Sequence, residues 1–383
     1  MSETIKQISG LNSKGQSILS VIVKRTYKIN KDGSCSIHNE QQPLITSHIM
    51  NPDNKEEFLW DIDLYPYKTM TDIVVKGIAR SVTPIKSFEA SVEIGNIGTS
   101  LTIFADRKLH KSTNGVLQFI SENTITETPI SYQFAYGGKD LIAEAPLRKI
   151  IENDENFKHA SKILDVFEGS PYRYPRNPIG KGYIIDTTAE NIEQLQLPNI
   201  ENPYELLTPE TIVCKNVLEW YKMPIPVGTE WIHPGWFPRI AYFGKYMLPK
   251  GLDENITEIK NNLTADSILK SDPHPRNKYF DFRACNGASL GLQSRQLNGG
   301  ERCKLTNIHP RQKEFIIQLP NERPKIKVDG RNGKLLKTDP VIHSVIIEPD
   351  ENRLSMVWCG TGKAIRPYME EELKTMPFEV KWD

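Results

Sequence analysis

Residues 71–104 read TDIVVKGIARSVTPIKSFEASVEIGNIGTSLTIF. In Ser87 to Ile94, the apolar Phe88, Ala90, Val92 and Ile94 alternate with Glu89, Ser91 and Glu93. A period of two puts one face in a core and the other in water, the signature of a half-buried strand. Gly95-Asn96-Ile97-Gly98 permits the positive φ angles of a tight reversal, and Leu101 and Ile103 resume the alternation. Thr71 to Ser81 is short and β-rich, so the stretch is expected to form a three-stranded antiparallel meander.

The flanks extend the same pattern. Upstream, Asn30-Lys31-Asp32-Gly33 separates two β-rich runs, Ser17 to Ile29 and Ser34 to His38, which is a hairpin signal. Leu59 to Tyr65 (LWDIDLY) places Asp61 and Asp63 on one strand face. Two carboxylates so spaced suit acid–base chemistry, but a solvated strand face is the commoner reason for them. Downstream, Gly115 to Ile120 and Ser131 to Ala135 read as strands, the second running into Tyr136-Gly137-Gly138-Lys139-Asp140. In the last third, Glu314 to Leu319, Lys325 to Val328, His343 to Glu348 and Arg353 to Trp358 read as strands. They are followed by a short helix at Met369 to Lys374 and an extended Phe378 to Trp382. No βαβ alternation is present, which disfavours a doubly wound sheet.

Between these β regions periodicity fades. Short helices are expected at Ala160 to Phe167 and Asn255 to Leu269, within long ordered loops. The loops carry Asn177-Pro178-Ile179-Gly180-Lys181-Gly182 and an aromatic run: Trp231, Trp236, Phe237, Tyr242, Phe243 and Tyr246. Such a run serves either a partner-binding surface or a satellite core beneath the loops. The expected fold is mainly β, an antiparallel β-sandwich-like architecture with a loop-rich middle and few short helices. Its organisation is an N-terminal β region (1–142), a middle segment (143–283) and a C-terminal β region (284–383).

Composition sets limits on function. The 383 residues carry 48 Lys+Arg against 48 Asp+Glu, a formal net charge of zero, so no general attraction to nucleic acid or anionic membrane is expected. The polar opening, Met1 to Gly15, lacks the apolar run of a secretory leader, and Ile18 to Val23 is too short to span a bilayer. Five cysteines (Cys35, Cys214, Cys285, Cys303, Cys359) form no CxxC and read as reduced cytosolic thiols. His233, His274, His309, Cys285 and Cys303 show no metal-ligand spacing, and no phosphate-cradling GxxxxGK[ST] occurs. No cofactor and no metal are therefore expected.

One motif points toward catalysis. Gly287-Ala288-Ser289-Leu290-Gly291 fits the G-x-S-x-G nucleophile elbow of serine hydrolases, with Tyr279 to Ala284 as its strand and His343 and Asp339 as late partners. The elbow also needs a following helix, which Asn298-Gly299-Gly300 stops early, and a surrounding α/β sheet. A turn serine is the expectation.

Many short segments in one order resemble a known family. Among them are Thr71-Asp72-Ile73-Val74-Val75-Lys76-Gly77, Ala105-Asp106-Arg107, Phe134 to Asp140, Asn177 to Gly182 and Leu197-Pro198-Asn199-Ile200-Glu201. Trp236-Phe237-Pro238-Arg239, Leu297 to Glu301, Leu305 to Pro310 and Val345 to Trp358 continue the order. Together they resemble domain-of-unknown-function family 2169, associated with type VI secretion, over roughly residues 18 to 366. Lys108-Leu109 stands where the family pattern has an aromatic, and Cys359 where it has Arg. The resemblance implies a cytoplasmic, non-enzymatic adaptor or chaperone. It would hold an effector, or its PAAR-like spike-tip domain, and help load it onto the VgrG spike. The alternatives are a serine-type hydrolase at Ser289 or a structural component of the secretion particle. The expected partner surface comprises Tyr136, Gly137, Gly138, Asp140, Asn177, Gly180, Lys181 and Gly182. Asp140 and Lys181 are its expected exposed orienting charges.

Overall fold

The Ser87–Ile94 and Ile97–Phe104 strands pair in full register, from Ser87 opposite Phe104 to Ile94 opposite Ile97, in the computed structural model of the chain. Their turn is Gly95-Asn96, with Gly95 at φ 58°. The structure describes residues 3–121, 123–153, 172–243, 281–330 and 334–382. Ala90, Val92 and Ile94 are buried while Glu89 and Glu93 are exposed, as the alternation requires. Ile200–Glu201, Arg302–Thr306 and Glu314–Gln318 complete an antiparallel five-stranded sheet around this hairpin.

The Thr71–Val75 strand does not join it. All five of its residues are buried, and it lies parallel to Val341–Glu348 in a seven-stranded sheet. A strand covered on both faces belongs inside a sheet, and Ile73-Val74-Val75 is apolar without alternation, as such a place demands, while Thr71 and Asp72 are buried polar residues at its start. The chain breaks at Lys76-Gly77, and Ile78–Ile85 pairs instead with Ile125–Pro129 as a separate ribbon. The expected three-stranded meander is thus a two-stranded hairpin plus a strand of another sheet.

The seven-stranded sheet runs Ile5–Leu11, Ser17–Ile29, Arg353–Lys363, Val341–Glu348, Thr71–Val75 and Gln293–Ser294, with Cys35–Ile37 beside Ser17–Ile29. Eleven residue pairs, from Ile18–Lys363 to Lys28–Arg353, join the N-terminal strand to the C-terminal one. The two large sheets share one core. Val92, Leu101, Ile103, Leu305 and Ile317 from one meet Ile73, Val75, Val345, Ile347 and Met356 from the other. Each such side chain contributes about 1.5–3 kcal/mol on burial. The opposite face is also covered, by Ile326 and Val328 over Leu19 and Val21, and by Phe58 and Trp231 over Val74 and Ile346.

Two local expectations change. Ser131 to Ala135 is not a strand: Ser131 caps a 3-10 turn, Tyr132–Phe134, by accepting from Gln133 N. The middle holds a helix that the fading periodicity hid, Leu141–Asn153, with Pro146 in it. The expected helices at 160–167 and 255–269 lie outside the described residues, as do Tyr246 and His274. Among the described residues no helix is long and apolar enough to cross a membrane.

Candidate partner-binding site

The two glycine-rich loops singled out by sequence cross each other. Tyr136–Gly137 lies parallel to Lys181–Gly182, with Lys181 N donating to Ala135 O at 2.9 Å and Tyr183 N to Gly137 O at 2.8 Å. Gly138 N donates to Asn177 O, and Tyr174 N to Gly138 O. The crossing leaves no room for side chains. Gly137 has φ 149°, and a Cβ there would lie 2.1 Å from Asn177 O; one at Gly180 would lie 2.5 Å from Ala135 O. Asn177 is the peg of this junction: fully buried, it donates through Nδ2 to Tyr132 O and Tyr136 O. Tyr136 is buried beside Tyr174, and its hydroxyl donates to Ile212 O.

Asp140 is not an exposed rim charge. It is 2% exposed and accepts four bonds. One, from Ala143 N at 2.9 Å, caps the Leu141–Asn153 helix; the others come from Ile185 N, Asp186 N and Asn191 Nδ2. A carboxylate three residues before that amide is the sequence signal for a helix cap, which the loop reading of this segment passed over. Lys181 keeps part of its exposure. Its Nζ sits over the Phe134 ring and donates to Asn199 Oδ1 at 3.0 Å. Burial lowers its pKa, with the nearby Asp106 acting in the opposite sense.

Around the crossing the surface is concave. A depression of about 210 Å³ is lined by Gly137, Gly138, Gly180, Lys181 and Gly182. Lys181 and the 194–196 segment also line a larger groove of about 1040 Å³, which runs between residues 106–112 and 187–197. The sequence reading missed this second wall, because Lys108–Lys111 is a short ribbon strand with no motif. The aromatic run is not at this surface. Trp231 and Trp236 are buried, Trp236 packs edge-on to Tyr132, and Phe237 packs on Trp220. For these three the satellite-core alternative holds.

The paired acids Asp61 and Asp63 are buried too, rather than solvated. Asp63 pairs with Lys24 at 3.0 Å. Asp61 pairs with Arg239 at 2.5 Å and also receives His48 Nε2 at 3.0 Å. Burial alone would raise the Asp61 carboxyl, but Arg239, His48 and Lys68 outweigh it and hold it below the usual range. Next to this pair, Asp72 accepts from Lys68, Asn286, Gly287 N and Ala288 N, which fixes the start of the GASLG segment. Ser289 is buried; its Oγ donates to Glu230 O at 2.7 Å and lies 2.9 Å from Tyr132 OH. Before it stands a 3-10 turn, Phe282–Cys285, instead of the elbow's strand. His343 is buried and kept neutral, its pKa pushed down to about 3 by desolvation and Lys68. All five cysteines are free thiols. Among the described residues no three His, Cys, Asp or Glu side chains gather as a ligand set.

A family model described as "Uncharacterized protein conserved in bacteria (DUF2169)" matches residues 14–359. No curated protein and no solved structure shows a match to the chain.

Proposed function

We propose that this chain, which belongs to the DUF2169 family, is a non-enzymatic cytosolic adaptor that holds a type VI secretion effector, or its PAAR-like spike-tip domain, and assists its loading onto the VgrG spike. The observation that carries the reading is the open groove beside the crossed glycine loops. Polar side chains line much of it, and the glycine loops beside it, which share Lys181 with it, are tied down by hydrogen bonds of Asn177 and Asp140. A preorganised concave surface of this kind binds another chain without paying to order its own loops. Spike-tip effectors resemble proteins that carry apolar surface meant for a later partner, which needs temporary cover. The hydrogen bonds of Ser289 to Glu230 O and Tyr132 OH favour the adaptor over the hydrolase, since both anchor the hydroxyl within the fold.

The test is co-expression with a PAAR-like type VI effector from the same organism. The expected result is a complex that survives gel filtration, and loss of effector secretion when the chain is deleted. An effector that stays soluble and is secreted normally without the chain overturns the reading. Ser289→Ala is expected to leave effector capture at the wild-type level.

A further inference from the structure

The ribbon Lys108–Lys111/Leu117–Ile120 stands outside both large sheets, its strands pairing, among the described residues, only with each other. At its tip Ser112 N donates to Val116 O, and Gly115 N to Ser112 O. Counting back from that bonded pair, antiparallel alternation makes His110–Gln118 and Lys108–Ile120 the bonded pairs. The N–H and C=O groups of Leu109 and Lys111 therefore turn away from Leu117–Ile120. No described residue bonds to them.

The groove of about 1040 Å³ is lined by this same strand. Leu109 and Ile192 share one buried cluster, so the Ala189–Gln194 helix closes the floor on the Leu109 face. Three ammonium groups line the groove, Lys108, Lys111 and Lys181, and none forms an ion pair among the described residues. Lys111 Nζ donates to Thr187 O and Lys181 Nζ to Asn199 Oδ1, both neutral acceptors. Lys108 and Lys111 project from opposite faces of the strand, and so flank its edge. Two acids also line the groove, Asp106 and Glu193; Asp106 Oδ1 accepts from Asn199. Arg107, a further cation of the groove, is already paired with Glu201.

We propose that an extended acidic segment of the partner protein adds a strand to the free edge of Lys108–Lys111. Its backbone pairs with Leu109 and Lys111, and its carboxylates meet Lys108, Lys111 and Lys181. The strand edge supplies the affinity, as in β-augmentation, and the lysines set sign and register. This inference takes from the adaptor reading that the arriving molecule is a protein. Edge lysines also serve simply to repel stray strands, and the test separates the two roles.

The probe is a fluorescent ten-residue peptide alternating glutamate and valine, read by anisotropy with the full chain at low salt. Saturable binding is expected. Lys108→Glu with Lys111→Glu, both exposed positions, should weaken it about tenfold or more. A peptide N-methylated along one edge should fail to bind, as should a lysine–valine peptide. The inference is overturned by undiminished binding to the double variant, by equal binding of the N-methylated peptide, or by no saturable binding at all. Tighter binding of an oligo-dT probe overturns it as well. If the double variant captures the whole effector as wild type does, the groove inference falls and the adaptor reading stands. If wild type binds the peptide but never the effector, the adaptor reading falls and the groove stands.

Discussion

Arg239 and Asp61, 178 residues apart in the chain, form a buried ion pair at 2.5 Å. Gly287 is wedged against both, since a Cβ there would lie 2.4 Å from Asp61 Oδ2 and 2.7 Å from Arg239 Nη1. The guanidinium also donates to Ala284 O and Ile232 O, so one side chain ties together three distant stretches. Arg239→Met is expected to cost about 3–5 kcal/mol, because it takes the guanidinium from a buried carboxylate, which among the described residues keeps only His48, Tyr65 OH and Ile62 N, and leaves two carbonyls without their donor. Arg239→Lys should recover little of this, since an ammonium cannot reproduce the planar fork. Urea midpoints measure both. A loss below about 1 kcal/mol for Arg239→Met would show that the pair holds nothing in place.

The same interior makes the fold acid-labile. His343 and His233 are held neutral by burial, with pKa values pushed down to about 3 and about 4. In the unfolded chain they take up protons near pH 6.5, so the unfolded state binds more protons below that point. Stability from these groups is complete above about pH 6.5 and drains away as pH falls toward the folded values. The depressed Asp61 carboxyl adds a further loss at lower pH, with the same sign. Thermal midpoints should therefore fall between pH 7 and pH 4, and His343→Gln should flatten the slope. An unchanged slope in that variant would remove His343 from the account.

Strand facing gives a cleaner contrast. Val92 is fully buried between the sheets, whereas Glu93 is exposed. Val92→Asp puts an unpaired charge in the core and should cost about 3 kcal/mol or more. Glu93→Ala should stay within about 0.5 kcal/mol. Equal losses of melting temperature in the two would mean the hairpin faces the other way.

That hairpin was fully legible because its two faces meet different solvents, so period two is written into Phe88 to Ile94. The neighbouring Thr71–Val75 was legible as a strand but not in its partner, since a strand buried on both faces carries no alternation to orient it. Asp61, Asp63 and Asp140 misled for one reason. A lone carboxylate in sequence looks solvated, and its cover comes from residues far along the chain: Arg239, Lys24 and Asn191. The glycines of the candidate site were visible as tight backbone positions, but the facing groove wall at Lys108–Lys111 has no local signature. Packing of Leu109 in one cluster with Ile192 and Leu197, far along the chain, brings it into place.

Asp140 and Lys181 differ accordingly, though both belong to the glycine loops. Asp140→Ala removes a helix cap and leaves Ile185 N and Asn191 Nδ2 short of an acceptor in the interior. A lost cap alone costs about 1 kcal/mol, and each orphaned buried donor adds about 1–3 kcal/mol. Asp140→Asn keeps the cap but turns an acceptor into a donor facing donors, so it should rescue only part. Lys181→Ala removes a half-buried bond to Asn199 and a contact with Phe134, and should cost at most about 1 kcal/mol. Effector capture is expected to fall in Lys181→Ala with the melting temperature lowered by no more than a few degrees, because Lys181 lines both the small depression and the groove. In Asp140→Ala capture should fall only together with stability, and cooling the assay should restore it. A stable Asp140→Ala protein that cannot capture the effector would instead make this carboxylate part of the contact surface, against its burial here.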